Sequence, residues 1–181
     1  MSESSAENTL RIHDQFWKMI DPSWLTKIAD LLQLSDFPLH LSGPWYRARL
    51  MGEGRGFRVY SVERPSDRIP KLVIKLPSTQ FIASHSPGSQ RKWRDWVEML
   101  GRSRLPYIPP MTTINWKDAF LLTMPYGELD PNHQSLTKHR DASTSVIDEL
   151  KKHGLTLNDS PQWLQHEGLN FVCDFSDLKK I

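Results

Sequence analysis

Trp45-Tyr46-Arg47-Ala48-Arg49-Leu50-Met51-Gly52-Glu53-Gly54-Arg55-Gly56-Phe57-Arg58-Val59-Tyr60-Ser61-Val62-Glu63 is the stretch that decides the fold class. Trp45 to Met51 and Phe57 to Glu63 have strand composition and flank a glycine triplet, Gly52, Gly54 and Gly56, as the arms of a hairpin would. Glycine lets a turning backbone present its N–H groups closely, with no Cβ in the way, which suits a phosphate group. A glycine-rich hairpin turn with no ligand is the other reading of the same residues.

Working outward, Lys71 to Leu76 reads as a third strand ended by Pro77, and Ser78 to Ser89 as a flexible connection. A helix is expected from about Gln90 to Gly101, with Trp93, Trp96, Val97 and Leu100 on one face. Thr112 to Asn115 and Ala119 to Met124 form a second hairpin around Trp116-Lys117-Asp118, and Pro125-Tyr126-Gly127 is a connector. Ser135 to His153 reads as a helix with Gly154 at its C-cap, and two short strands surround His166-Glu167-Gly168. Upstream, apolar residues fall at helical spacing from Leu10 to Leu34. Asp21-Pro22-Ser23 divides that run into a helical hairpin, with Asp21 as N-cap and Pro22 at the first helical position.

Composition sets the outer bounds. The 181 residues make one domain, or one domain with an appendage. An apolar content of 38% with seven tryptophans is enough for a packed core. A formal charge of +2 gives no reason to expect nucleic acid or an anionic membrane as the main partner. The one cysteine, Cys173, excludes an intrachain disulfide and suits a reducing, cytoplasmic setting. No apolar run is long enough to span a bilayer. The polar, serine-rich start lacks the basic and apolar stretches of a secretory signal, and is also compatible with specialised bacterial export of an effector.

Four segments in order, Gly52-Glu53-Gly54-Arg55-Gly56, Val73-Ile74-Lys75, Asn158-Asp159-Ser160-Pro161-Gln162 and Val172-Cys173-Asp174-Phe175-Ser176, resemble the ATP-handling parts of a protein kinase. The resemblance runs from about Leu41 to Leu178 and is similar in scale to small bacterial effector kinases. It implies an α+β fold. A small lobe over residues 41–127 would hold an antiparallel sheet and one helix, and an abbreviated helical large lobe would follow over residues 128–181. Residues 1–40 would be an N-terminal helical extension packed on the main body.

The resemblance also implies roles. Gly52, Gly54 and Gly56 would cover ATP, with Val59 packing on the adenine ring. Lys75 would hold phosphates, braced by Glu98 or, second, Asp95. Met124 and Tyr126 lie in the segment that resembles the hinge, where backbone groups recognise adenine. Asp174 would bind Mg²⁺, and Asp159 would orient the attacking hydroxyl.

The sequence also departs from the family. Gly56 precedes Phe57 instead of following an aromatic residue, and Ser176 replaces a glycine. In the catalytic loop, alignment on Pro161 brings Asn158 to the catalytic position, whereas alignment on Asp159 leaves the loop one residue short. Trp163 stands where an asparagine would hold a second Mg²⁺, leaving Gln162 or Gln165 to offer an amide oxygen. The chain stops at Ile181, before any activation loop or peptide platform, which implies a minimal kinase or a truncated relative.

The leading expectation is therefore a small Mg²⁺–ATP-dependent kinase acting on a protein Ser/Thr hydroxyl or a small alcohol. A pseudokinase is the alternative, and an α+β adaptor with chance motifs is the third. Elsewhere, His133 and His139 lack a third metal ligand, Arg102-Ser103-Arg104 reads as a solvated loop, and Cys173 reads as packing rather than a nucleophile.

Overall fold

The computed structural model describes residues 3–65, 71–129, 139–159 and 161–181. Among these the chain is mixed α+β, with five helices and antiparallel strand pairing throughout. The helical hairpin forms as expected from α1 (Glu3–Met19) and α2 (Pro22–Leu34). Asp21 caps α2 by accepting the Trp24 N–H at 3.0 Å, and that bond leads in holding the Asp21 carboxyl below its usual range, with Arg64 assisting.

A six-stranded sheet follows, in the order β1-β2-β3-β4-β6-β5. Its strands are β1 (His40–Gly43), β2 (Tyr46–Glu53), β3 (Phe57–Glu63), β4 (Leu72–Pro77), β5 (Thr112–Trp116) and β6 (Ala119–Pro125). Both expected hairpins are present. The edge strand β1 was not expected, because four residues alternating between exposed and half-buried carry little apolar signal.

Strand alternation divides the core. On one face, α2 buries Leu25, Ile28 and Leu32 completely against Tyr60, Leu72, Ile74 and Leu121. On the other, Val73, Phe120, Leu122 and Met124 join one continuous cluster that reaches Trp163, Val172 and Phe175 near the C-terminus. Lys75 shares the parity of Val73, and its register partners are Val59 on β3 and Leu122 on β6. The period of two therefore puts the Lys75 ammonium on the face of Val59, Val73 and Leu122.

Between β4 and β5 the chain is more ordered than expected. Ser78 to Ser89 is not a flexible connection: it contains α3 (Thr79–Ser84) and the start of α4 (Pro87–Arg102). Ser78 and Ser86 cap the two helices, their hydroxyls accepting from Phe81 N–H and Ser89 N–H. The Phe81 ring fixes α3 by packing among Phe57, Trp93 and Phe120.

The C-terminal part also differs from expectation. Instead of a mainly helical unit, the described residues hold one helix, α5 (Arg140–Lys152), and short strands β7 (Glu128–Leu129), β8 (Leu155–Leu157), β9 (Trp163–His166), β10 (Leu169–Val172) and β11 (Leu178–Lys180). The expected start of that helix at Ser135 lies outside the described residues, and Gly154 at φ +70 ends it. Glu167 and Gly168, both at positive φ, make the two-residue turn between β9 and β10. Among the described residues no helix is long and apolar enough to cross a membrane.

Helix α1 docks on the β9–β10 hairpin through Ile12, which packs with Leu164 and Phe171. Arg11 pairs with Glu167, Asp14 with Arg104, and the Arg102 guanidinium lies 4.2 Å from the Trp17 ring centroid. Beside Ile12, His13 is fully buried, and neither ring nitrogen makes a hydrogen bond of normal geometry. Burial leads in holding its pKa below 6.5, with Arg104 assisting and the Ile108 backbone and Asp14 opposing.

Below about pH 6.5 the unfolded chain therefore carries more protons at this position than the folded one. The contribution to stability is whole above that pH and is lost as pH falls toward the depressed folded value. His13→Leu is expected to flatten the fall in melting temperature between about pH 7 and about pH 5. Parallel curves for parent and variant would contradict this.

Candidate functional site

The β2–β3 hairpin, the inner face of β4, α3 and the segment after β10 enclose a cavity of about 680 Å³. Gly52, Gly54, Gly56, Val59, Lys75, Met124, Asp159 and Asp174 all line it. Residues far apart in sequence thus meet at one wall-and-roof arrangement.

The roof is the glycine turn. A Cβ on Gly52 or Gly54 would meet nothing within 4 Å, so packing does not require glycine at either position. Gly56 differs: a Cβ there would sit 2.9 Å from the Ser176 Cβ, which means the roof closes on the segment following Asp174. The Ser78 N–H donates to Gly56 O at 2.8 Å and the Ser78 hydroxyl to Arg55 O at 2.5 Å, tying the turn to the start of α3.

Lys75 is 6% exposed, and its ammonium donates to the carbonyl of Cys173, the residue before Asp174. No ion pair to Lys75 occurs among the described residues. The expected brace is absent. Glu98 Oε1 accepts instead from the Thr112 hydroxyl at 2.7 Å, Thr113 N–H at 2.5 Å and the Thr113 hydroxyl at 3.0 Å, while Oε2 lies 3.8 Å from Arg102.

Asp95, the second choice, is exposed and lines no part of the cavity. The residue of α4 that faces the Asp174 segment is Trp93, whose indole N–H donates to Phe175 O at 2.9 Å. Five residues later the helix has turned about 140° past the same direction, which carries Glu98 toward β5.

At the back of the cavity Val59, Val73, Met124 and Leu164 supply apolar surface. Tyr126 does not reach it. Its N–H donates to Lys71 O at 3.0 Å, its carbonyl meets His166 Nδ1, and its ring lies under the Lys71 ammonium. The connector residue that does line the cavity is Gly127, where a Cβ would sit 2.3 Å from Leu164 Cδ1. Only glycine fits there without displacing the strand below.

Asp174, directly after the carbonyl that Lys75 bonds, is half-buried, and its Oδ1 accepts the Ser176 N–H at 2.9 Å, which fixes the carboxylate. Asp159 lines the cavity and Asn158 does not. Likewise Gln162 and Leu164 line it while Trp163, between them, turns into the core to stack on His139 with centroids 5.1 Å apart. Gln165 is exposed on β9.

Cys173 lies just past β10, and burial pushes its thiol pKa up, with the Lys75 charge opposing, so it is no ready nucleophile. Asp177, which carries no signal in the sequence, also lines the cavity, and its Oδ2 accepts the Asp159 N–H at 2.5 Å. Burial raises its carboxyl pKa, the Asp159 N–H opposes, and the charges of Asp174 and Asp159 raise it further.

Among the described residues no group of three or more His, Cys, Asp or Glu side chains is placed to hold a metal ion. His133 lies outside the described residues, and His139 is taken up by Trp163. No family model and no curated protein matches the chain.

Proposed function

We propose that the cavity binds Mg²⁺–ATP and that the chain is a small kinase-like phosphotransferase passing the γ-phosphoryl group to a hydroxyl, first of all on a protein serine or threonine. The observation that carries this reading is Lys75. Lys75 is only 6% exposed, and its ammonium, with a carbonyl as its partner and no carboxylate in ion-pair reach among the described residues, sits in a roomy cavity that the half-buried Asp174 also lines. A charge so placed calls for an anion. The strand order β2-β3-β4-β6-β5, with a long helix between β4 and β5, supports the same reading, because it resembles the small lobe of a protein kinase.

In this reading the open faces of Gly52 and Gly54 let the backbone approach phosphates, and Lys75 neutralises them. Val59, Met124 and Leu164 offer apolar surface to a base. Asp174 and the Gln162 amide oxygen are the groups that would hold Mg²⁺. One or two protein oxygens completed by phosphate and water are an ordinary magnesium set, so the lack of a three-residue cluster is no obstacle. When bound, the ion offsets charge on the transferring oxygens. Asp159 accepts the proton of the attacking hydroxyl as its oxygen bonds to phosphorus, and ADP leaves with the electrons of the broken P–O bond.

A second reading, a nucleotide-binding regulatory module without transfer, draws on the commitment of Glu98 to Thr112 and Thr113. Transfer of radiolabelled γ-phosphate, run beside thermal melts with Mg²⁺–ATP, separates the two. The parent protein is expected to be stabilised and to transfer phosphate. Asp159→Asn is expected to keep the stabilisation and lose transfer by roughly 100-fold or more. Stabilisation without transfer selects the regulatory module, and neither effect leaves an α+β adaptor.

A further inference from the structure

Asp177 is three residues past Asp174, and the function proposed above gives it no role. Its position follows from a short ladder. Strands β8 and β11 pair antiparallel with Leu178 opposite Leu157. Beyond that pair the two chains diverge, and the Asp159 N–H meets the Asp177 side chain instead of a backbone carbonyl, at 2.5 Å. A carboxylate thus supplies the next rung and ties the loop bearing Asp159 to the segment bearing Asp174. On that segment, the Ser176 N–H to Asp174 Oδ1 bond at 2.9 Å fixes the turn between the two aspartates.

We propose that Asp177 is a positioning residue: by taking the Asp159 N–H it sets where the Asp159 carboxylate stands in the cavity that Asp174 also lines. This deepens the phosphotransferase reading and rests on it for its catalytic consequence. The acceptor on Asp177 is what matters, not its charge. An asparagine at this position would offer an amide oxygen in the same place, whereas alanine would offer nothing and leave the Asp159 loop anchored on one side only.

The test compares Asp177→Asn and Asp177→Ala with the parent. In Asp177→Ala, kcat for transfer is expected to fall roughly 10- to 100-fold, with KM for Mg²⁺–ATP and the Mg²⁺ requirement unchanged. Asp177→Asn is expected to recover most of that loss. If the asparagine variant is as impaired as the alanine one, or both need more Mg²⁺, the carboxylate acts as a metal ligand and the positioning role is overturned. It is equally overturned if the alanine variant keeps its kcat.

A readout independent of activity is hydrogen exchange at the Asp159 amide in the ligand-free protein. Protection there is expected in the parent and in Asp177→Asn and lost in Asp177→Ala; equal exchange in all three contradicts the tether. Should the parent transfer no phosphate, the kinase reading falls while the amide exchange still decides the tether.

Discussion

Lys75→Met is expected to raise the melting temperature of the ligand-free protein and to abolish its stabilisation by Mg²⁺–ATP. The two effects have one cause. Lys75 is 6% exposed and its ammonium donates to a carbonyl oxygen, so the cost of removing its charge from water is only partly offset. Methionine fills nearly the same volume without a charge, beside Val59 and Leu122 in register. Relief of about 1–3 kcal/mol corresponds to several degrees for a chain of this size.

For the parent, Mg²⁺–ATP at a hundred times its Kd stabilises by about 2.7 kcal/mol, or roughly 5–10 °C. The variant is expected to show none of that shift. A variant that melts well below the parent, or that keeps the nucleotide shift, would contradict the role given to Lys75. Differential scanning fluorimetry with and without nucleotide measures both quantities in one series.

Removal of α1 and α2 is expected to abolish the folded state, not merely to shorten it. Phe16, Leu25, Ile28 and Leu32 are fully buried against the sheet face that carries Tyr60 and Ile74. At about 1.5–3 kcal/mol for each such side chain, their burial contributes roughly 6–12 kcal/mol, which matches the entire stability of an ordinary domain. A milder probe, Ile28→Ala, is expected to cost about 2–5 kcal/mol. Near-ultraviolet circular dichroism and denaturant titration of a chain beginning at Ser35 test the stronger statement. A native spectrum and an unchanged midpoint would show the hairpin to be an appendage after all.

What could be read in advance tracks how local the cause is. The glycine hairpin announces itself because strand residues flank the turn on both sides, and Asp21-Pro22 because a cap and a first-turn proline act within four residues. The contribution of Lys75 to the cavity was legible for a related reason: its strand is apolar on both sides, so a buried setting follows from alternation. Asp159 and Asn158 were indistinguishable in sequence, and only the fold puts Asp159 at the cavity.

Failures have non-local causes. Glu98 has the charge and the helix that a brace requires, but helical rotation gives the facing direction to Trp93 and leaves Glu98 to the threonines of β5. Tyr126 lies in a segment that resembles a hinge, whereas its backbone bonds are taken by Lys71 and His166. Strands of three residues such as β8 and β11 have no period to detect, and their pairing is set by partners twenty or so residues away. Asp177 carries no sequence signal for the same reason, since its meaning depends on that ladder.

The measurement closest to the central claim is a crystal structure with Mg²⁺ and a non-hydrolysable ATP analogue. The expected result has the phosphates between the Lys75 ammonium and the Asp174 carboxylate, beneath the Gly52–Gly56 turn, with the base against Val59 and Leu164. An analogue bound elsewhere, or none bound at saturating concentration, would contradict it.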